Sequence, residues 1–237
     1  MRFPIVFFTL FLTCFALQAQ DTINKTDPEG KKDGYWVKKD KDGKKIFEGR
    51  FSHGVPCGEF RYFYPGGELK AVSLLTDNGK RSKTVTYYKN GYKNAEGIFV
   101  DEKKDSTWKF YSEYDKVLLS EENYKNGKKE GVSKTFYPEG DIAEMTNWKD
   151  GVRTGAWEQY FKDGKLKLKC TYVDDQKDGP FRTYYTSGKI RVNGQYIKGI
   201  TDGTWLYISE KGEVEKKEYY KKGLLIKTED LKKQETK

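Results

Sequence analysis

The chain has 237 residues, of which 35% are hydrophobic and 34% are charged, and its formal net charge is +9. A single histidine excludes a histidine-rich metal site, and the three cysteines include no pair at zinc-ligand spacing. The sequence also lacks a glycine-rich phosphate loop and a nucleophile elbow, so no catalytic, cofactor-binding or metal-binding residue is predicted.

The first 19 residues have the pattern of a secretory signal peptide. Arg2 supplies a positive charge, Ile5 to Leu17 form an apolar run, and Ala19 is a small residue at a suitable cleavage position. The apolar run is shorter than the ~20 residues that cross a bilayer, which disfavours a transmembrane anchor. We therefore expect a signal peptide over 1–19, a flexible leader over 20–32, and a secreted or periplasmic location.

From residue 33 to residue 226 the sequence repeats with a period of 24 residues, with one extra residue in the middle. The period predicts an array of eight small modules, followed by a charged tail over 227–237, and it favours a binding surface over catalysis. Three markers carry the period. They are Gly34, Gly58, Ser82, Ser106, Gly131, Gly155, Gly179 and Gly203; Gly43, Gly67, Gly91, Asp115, Gly140, Gly164, Gly188 and Gly212; and Phe51, Leu75, Phe99, Tyr124, Trp148, Tyr172, Tyr196 and Tyr220.

Each module has the pattern of a β-hairpin. In the clearest one, Gly155 to Phe161 is an aromatic strand, Asp163-Gly164 is a turn, and Leu166 to Tyr172 alternates apolar and polar residues. No segment carries an apolar stripe of helical period. The sequence therefore predicts an all-β fold, an elongated single-layer antiparallel sheet of about eight tandem hairpins, roughly 75 Å long at ~4.8 Å per strand.

The best-preserved units read Gly-x-Trp-x-x-Tyr-Tyr-x-x-Gly-Lys and then Tyr-x-x-Gly-Lys-x-Asp/Glu-Gly. This pattern resembles the bacterial variant of the MORN repeat, found in YwqK-like antitoxin family proteins. The resemblance implies a row of hairpins in one long twisted sheet, an association with scaffolding, and no catalytic residues. Lys83-Thr84 and Ser112 to Lys116 depart from the pattern, so the middle of the array is expected to be distorted. The clearest matches are 131–150, 155–177, 179–199 and 203–223.

Aromatic residues recur on both faces of the first strand of each unit. By the period of two, one face carries a structural ladder and the other a candidate binding surface. We expect the ladder to stabilise the sheet through contacts between rings of neighbouring hairpins. The ladder is Phe60, Trp108, Trp157, Phe181 and Trp205. The candidate binding surface is Tyr87, Tyr111, Phe136, Tyr160 and Tyr184, with Phe63 on the same face.

The second strand of each unit has one position that is mostly small. We expect a large ring from an adjacent strand to lie across the backbone there. The small residues are Gly49, Ser73, Gly97, Thr146, Cys170 and Gly194.

A linear array holds Cys57 and Cys170 far apart, at roughly 40 Å, which excludes a disulfide between them. Cys170 is expected to be packed, whereas Cys57 is left open as a residue that could join two chains.

The sequence predicts a non-catalytic, secreted or periplasmic protein with a protein-binding or scaffolding surface. The expected partner is an envelope protein or an anionic polymer. A toxin-neutralising, antitoxin-like protein and weak peripheral binding to an anionic membrane surface are the alternatives. No nucleic-acid partner is expected, because the lysines are dispersed over every unit and the chain is exported. No small-molecule substrate or cofactor is expected, and His53 is expected to be an exposed turn residue.

Overall fold

A computed structural model describes residues 22–231. These residues form strands joined by turns and no helix, so they contain no helix that could cross a membrane. The predicted signal peptide over 1–19 lies outside the described residues. The strands are Lys25–Thr26 (β1), Lys32–Lys39 (β2), Lys45–Ser52 (β3), Val55–Phe63 (β4), Leu69–Thr76 (β5), Arg81–Tyr87 (β6), Lys93–Val100 (β7), Lys103–Tyr111 (β8), Leu118–Lys125 (β9), Lys128–Lys129 (β10), Gly131–Phe136 (β11), Ile142–Lys149 (β12), Val152–Tyr160 (β13), Leu166–Val173 (β14), Gln176–Lys177 (β15), Gly179–Tyr184 (β16), Ile190–Ile197 (β17), Ile200–Ile208 (β18), Val214–Lys221 (β19) and Leu224–Asp230 (β20).

The strands form one open antiparallel sheet in which each strand pairs with its neighbours along the chain. β10 and β11 both pair with β9, and β15 and β16 both pair with β14, so each of these pairs is one interrupted strand. The repeat therefore builds eight hairpins, which we number hairpin 1 (β2–β3) to hairpin 8 (β18–β19). The predicted all-β sheet of hairpin repeats is confirmed.

The sheet extends beyond the predicted array at both ends. Lys25–Thr26 pairs with β2, and the Asn24 side chain bonds both backbone polar groups of Val37. At the other end β20 pairs with β19 as far as Asp230. The leader thus includes a short strand, and the first residues of the predicted tail, Lys227 to Asp230, belong to the sheet because they complete the hydrogen-bond ladder of β19.

The turns between hairpins are short and require left-handed backbone. Between β3 and β4, His53 and Gly54 have φ angles of 46° and 84°. Two successive positive φ angles are typical of the turn whose twist matches that of an antiparallel pair. His53 therefore lies in a tight turn and is exposed there, as predicted.

The extra residue of the repeat lies in the turn of hairpin 4. The Ser112 N–H donates to the Val117 carbonyl, whereas in hairpin 3 Tyr88 N–H reaches Tyr92, one residue closer. The left-handed residue in hairpin 4 is Lys116, with φ 64°, which corresponds to the turn glycines of the other hairpins. The marker assigned to Asp115 is therefore wrong by one residue, because the longer turn shifts the left-handed position.

One edge of the sheet is held by hydrogen bonds from most of the turns that follow a hairpin to the first strand of that hairpin. The Gly54 N–H donates to the Lys32 carbonyl at 2.8 Å, and Gly199 N–H donates to Lys177 at 2.7 Å. Equivalent bonds are made by Asp101, Gly127, Gly151, Asp175 and Gly223. Backbone N–H and carbonyl groups that would otherwise be unpaired at this edge are thus hydrogen-bonded, and the bonds hold these turns in place along the edge.

The other edge is held by tyrosine hydroxyls. Tyr137 Oη donates to the carbonyl of Tyr160 at 2.7 Å, which lies 23 residues further along and in the next hairpin. Phe161 occupies the equivalent position in hairpin 6 and has no hydroxyl to donate. The same bond is made by Tyr64 to Tyr87, Tyr88 to Tyr111, and Tyr185 to Ile208.

Removing one of these hydroxyls should weaken the contact between two hairpins. We expect Tyr137→Phe to lower the free energy of unfolding by about 1 kcal/mol, because the ring stays packed and only the hydrogen bond is lost. Phe161→Tyr is the reverse change and should raise stability, since its hydroxyl would reach the Tyr184 carbonyl. Denaturant unfolding of both variants measures the difference. Equal stability of the two variants and the parent would contradict this role.

The array is regular at Thr84, contrary to the distortion expected there. β5 and β6 pair over six consecutive residues without a register shift. Other junctions between hairpins, such as β7–β8 and β17–β18, shift register beside Gly97 and Gly194. The shift accompanies a ring that crosses the glycine, and Thr84 brings no ring. The loss of the aromatic residue therefore straightens the junction.

Candidate binding surfaces

One face of the sheet, which we call the ring face, carries the predicted structural ladder. Phe60, Trp108 and Trp205 are buried, with 3%, 2% and 6% of their surface exposed, and Trp157 and Phe181 are half-buried. Rings of adjacent strands meet edge to face, as for Phe99 with Trp108, whose centroids are 4.7 Å apart. Such contacts stabilise the sheet beyond the burial of apolar area alone.

Rings of the ring face lie directly across the backbone of the small residues. A Cβ atom added at Gly49 would lie 2.5 Å from the Phe60 ring, and one added at Gly97 or Gly194 would overlap Trp108 or Trp205. The expected crossing of rings over the small position is therefore confirmed at these three glycines. Cys170, in the same series, is 1% exposed and is a free thiol, as expected for a packed residue.

A basic residue recurs on the ring face at the start of most units and lies over the rings. The ammonium of Lys104 is 4.7 Å from the centroid of Trp108, and burial lowers the pKa of this lysine. A cation over an aromatic face is attracted by the ring, and here it also covers the ring from water. The other examples are Lys32 over Phe51, Lys129 over Trp148, Arg153 over Tyr172, and Lys177 over Trp157.

The opposite face, which we call the ion-pair face, carries charges that alternate from strand to strand. Glu96, Lys109 and Glu121 are directly opposite one another on β7, β8 and β9. Lys109 is 3.3 Å from Glu121, and Lys169 is 2.9 Å from Glu158 further along the sheet. Opposite charges at paired positions stabilise a sheet modestly. The charges of Lys109 and Lys169 are therefore paired within the sheet.

All five aromatic residues of the candidate binding surface are half-buried and lie at the end of a first strand, directly after a register shift. The shifts precede Tyr87, Tyr111, Phe136, Tyr160 and Tyr184. The hydroxyls of Tyr111 and Tyr160 are used within the chain, since they donate to Glu96 and Glu158. Their role in binding stays a prediction.

These buried contacts shift the ionisation of both partners. Burial, and then the hydrogen bond to Glu96, raises the pKa of Tyr111 to about 12. Burial and Glu158 likewise raise the pKa of Tyr160 to about 12. The hydrogen bond from Tyr111, together with Lys93, holds the pKa of Glu96 below its usual value. Each hydroxyl donates to a carboxylate, so the neutral phenol and the charged carboxylate stabilise each other.

The free energy of unfolding should fall as the pH rises from 10 to 12. Tyrosine in the unfolded chain ionises near pH 10, whereas folded Tyr111 and Tyr160 keep their protons to about pH 12. Their raised pKa values therefore contribute stability that is complete below pH 10 and lost by pH 12. Denaturant unfolding below and above this range measures the loss, and Tyr111→Phe should reduce it. An alkaline loss of the same size in the variant would contradict the assignment.

A surface recess lies on the ring face over hairpins 6 to 8, with a volume of about 690 Å³. Its base follows one row of register partners, in which Leu168 faces Thr183 and Val192 faces Tyr207. We call it the C-terminal cavity. Its volume is in the range of ligand sites. The remaining lining includes Phe161, Tyr184, Tyr185, Lys167 and Arg191.

Near the N-terminal end of the sheet, the side chains of Asp27, Glu29 and His53 approach one another. Their nearest ligand-type atoms lie within 4.8 Å, and His53 Nδ1 is 3.0 Å from Asp27 Oδ2. The other oxygen of Asp27 accepts the backbone N–H of Lys31. These bonds join the segment before β2 to the turn after β3. These hydrogen bonds explain why the three side chains lie together without a metal ion.

Two recurrent features of the surfaces were missed by the sequence analysis. The cation of the ring face occurs at the repeat spacing, at Lys32, Lys80, Lys104, Lys129, Arg153 and Lys177. The tyrosines that bond the next hairpin also follow the repeat. Both signals are visible in the alignment of the units, but lysine and tyrosine are so common in this chain that neither pattern stands out.

Comparison with known proteins identifies repeats in the second half of the array. The family model described as the MORN repeat variant matches residues 129–150, 153–174 and 177–198. Each matched segment begins at a cation of the ring face and covers the greater part of one hairpin, from hairpin 5 to hairpin 7. No curated protein matches the chain. The narrower YwqK-like assignment stays a prediction.

Proposed function

We propose that this chain, which carries repeats of the MORN variant over residues 129–198, is a non-catalytic scaffold whose ring face binds another protein. An all-β array of repeats is typical of binding and scaffolding proteins, because stacking gives an extended surface without an enclosed reaction site. The observation that carries the proposal is the C-terminal cavity, a recess lined by aromatic side chains of two matched repeats and of the hairpin that follows them.

The chemistry of the C-terminal cavity suits a protein partner. Tyr185 and Tyr207 line the cavity with aromatic side chains, and Arg191 lines it with a guanidinium. Tyrosine and arginine are enriched at the energetically dominant positions of protein interfaces. The cavity is also lined by Glu215 and by Lys216, whose ammonium is paired with Glu218 at 2.8 Å. We propose an envelope protein as the partner, docking an apolar or aromatic segment here.

Site-specific photocrosslinking tests the proposal. A benzophenone amino acid is placed at Lys167, which lines the cavity, and separately at Lys83 on the ion-pair face. Both lysines are exposed, so the two positions are matched in charge and access. Residues 20–237 carrying each probe are incubated with envelope extract and irradiated. We expect a discrete crosslinked protein from position 167 and none from position 83.

The salt dependence separates the proposed function from its alternatives. Specific docking in an aromatic recess should survive a high-salt wash, whereas attraction to acidic polymers or anionic lipid should be lost. Crosslinks of equal yield from both positions, or only salt-labile acidic material, would contradict docking at the cavity. Neutralisation of a toxic protein would instead appear as rescue of growth on co-expression.

We also propose that the protein acts outside the cytoplasm. The support is the apolar segment between Ile5 and Leu17 followed by Ala19. Fractionation with N-terminal sequencing tests it, and the expected mature N-terminus is Gln20. An intact Met1 on the cytoplasmic protein would contradict export.

A further inference from the structure

The ring face has one position where an aromatic residue is missing and nothing of similar size replaces it. First-strand residues at this place are Trp36, Phe60, Thr84, Trp108, Ser133, Trp157, Phe181 and Trp205. Two of the eight are therefore small. At Ser133 the following second strand supplies the large indole of Trp148, which Lys129 covers at 4.7 Å. At Thr84 the following second strand supplies the smaller ring of Phe99, and the preceding second strand supplies only Leu75.

A cavity of about 430 Å³ lies over Thr84. Ser73 and Thr84 are directly opposite each other on β5 and β6, and both are buried. Tyr62 on β4 and Phe99 on β7 flank them and also line the cavity. We call this recess the ring gap. Its volume lies within the range of ligand sites, and rings bound it on both sides.

The polar groups at the bottom of the ring gap are satisfied within the chain. Ser73 Oγ and Thr84 Oγ1 are 2.8 Å apart and share a hydrogen bond, and Ser82 Oγ lies 3.3 Å from Thr84 Oγ1. An apolar group entering the gap therefore leaves no hydroxyl without a partner. Because an unpaired buried hydroxyl would oppose binding, this arrangement favours an aromatic or aliphatic occupant.

The cation of this unit favours an aromatic occupant over an aliphatic one. Lys80 corresponds to Lys32, Lys104 and Lys177, each of which lies over rings at about 5 Å. Lys80 lines the ring gap and is exposed, and among residues 22–231 no ring lies beneath its ammonium. A ring placed in the gap would give this ammonium the contact that its counterparts make within the chain.

We propose that the ring gap receives the aromatic side chain of a partner protein, with Lys80 above the ring and Tyr62 and Phe99 beside it. The bound side chain would take the place that Trp108 fills in the next hairpin. This inference rests on the proposed protein-binding function and adds a second contact, on hairpins 2 and 3, remote in sequence from the C-terminal cavity. Tryptophan fits best, because indole is the strongest cation–π acceptor among the aromatic side chains.

The test uses N-acetyltryptophanamide as a probe and N-acetylleucinamide as its aliphatic control. NMR titration of residues 20–237 should show shifts of the amides of Ser73, Thr84 and Phe99 with the tryptophan probe only. The double variant Ser73→Gly/Thr84→Trp restores the pairing of glycine with tryptophan that Gly97 and Trp108 show. It should weaken the probe's affinity by roughly tenfold or more and raise the melting temperature, while Lys80→Gln should weaken affinity by roughly threefold.

Leu74→Trp is the matched control, because Leu74 lies on β5 but faces the ion-pair side and is 50% exposed. It should leave probe binding unchanged. No shift with the tryptophan probe, or equal binding to the double variant, would overturn the proposal.

Photocrosslinking at Lys167 is independent of this titration. A crosslinked partner without probe binding would refute only the ring gap, and probe binding without a crosslinked partner would refute only docking at the C-terminal cavity.

Discussion

Trp108→Ala is expected to lower the free energy of unfolding by about 3–5 kcal/mol, the usual cost of removing a buried tryptophan. Trp108 is 2% exposed, packs edge to face on Phe99, and donates its indole N–H to the Ile98 carbonyl at 3.0 Å. Its loss would also remove one of the three ring contacts of Lys104, which keeps those with Phe110 and Tyr124. Neighbouring hairpins cannot collapse into the space left by the indole, because the backbone on either side is fixed by the sheet.

Tyr114→Ala is the control for this variant. Tyr114 lies in the turn of the same hairpin and is 87% exposed, so its removal should change stability by less than about 0.5 kcal/mol. Denaturant unfolding of the two variants gives the comparison. Hydrogen exchange should show the loss of protection centred on hairpins 3 to 5, because a repeat array is held together by nearest neighbours. A cost below about 1 kcal/mol for Trp108→Ala would contradict a structural role for the ladder.

Gly97→Ala should destabilise the protein by about 1–3 kcal/mol, although it adds only one methyl group. That methyl would overlap the five-membered ring of the Trp108 indole, and neither the ring nor the strand can move far. In a Trp108→Ala background the ring is absent, so the same substitution should cost little. The two changes are therefore expected to be strongly non-additive, which unfolding of the two single variants and the double variant measures.

Gly66→Ala provides the control for the added methyl group. A Cβ atom at Gly66 would also meet a close neighbour, but that neighbour is the carboxylate end of the flexible Glu68 side chain. The side chain can rotate away, so we expect a change within about 0.5 kcal/mol. Equal effects of the two glycine substitutions would show that backbone conformation, rather than contact with the ring, determines the cost.

The hairpins and the two faces of the sheet could be predicted because both depend on short-range rules. Asp163-Gly164 specifies a turn, and alternation over Leu166 to Tyr172 assigns each side chain to a face. The crossing of Trp108 over Gly97 followed from the pairing of large and small positions in the repeat.

Contacts between units were harder to predict, because they depend on how much the sheet twists. Which carbonyl lies within reach of Tyr137 Oη is decided by the rotation between successive hairpins. The same holds for Lys104, whose sequence position does not reveal whether it points to water or folds back over a ring. The sequence shows only that the lysines are dispersed over every unit, which does not distinguish those over rings from those in water.

The effect of Thr84 on the regularity of the sheet was predicted wrongly. A break in the pattern was expected to distort the array, but β5 and β6 pair without any irregularity. Thr84 and Ser73 replace a ring and a glycine with two hydroxyls that bond each other. The backbone tolerates the exchange because the hydrogen-bond ladder does not depend on the ring, and the missing volume remains as the ring gap.

The bonds that connect each hairpin to the next have a kinetic consequence. Each bonded tyrosine hydroxyl and its carbonyl are only 23 residues apart in sequence, and each strand pairs with the strand that precedes it in the chain. All-β proteins usually fold slowly because strands distant in sequence must meet, and that delay is absent here. Each hairpin can therefore be added to the growing sheet as soon as its own segment is available. A chain emerging from its N-terminal end would assemble progressively, with about one repeat unfolded at a time.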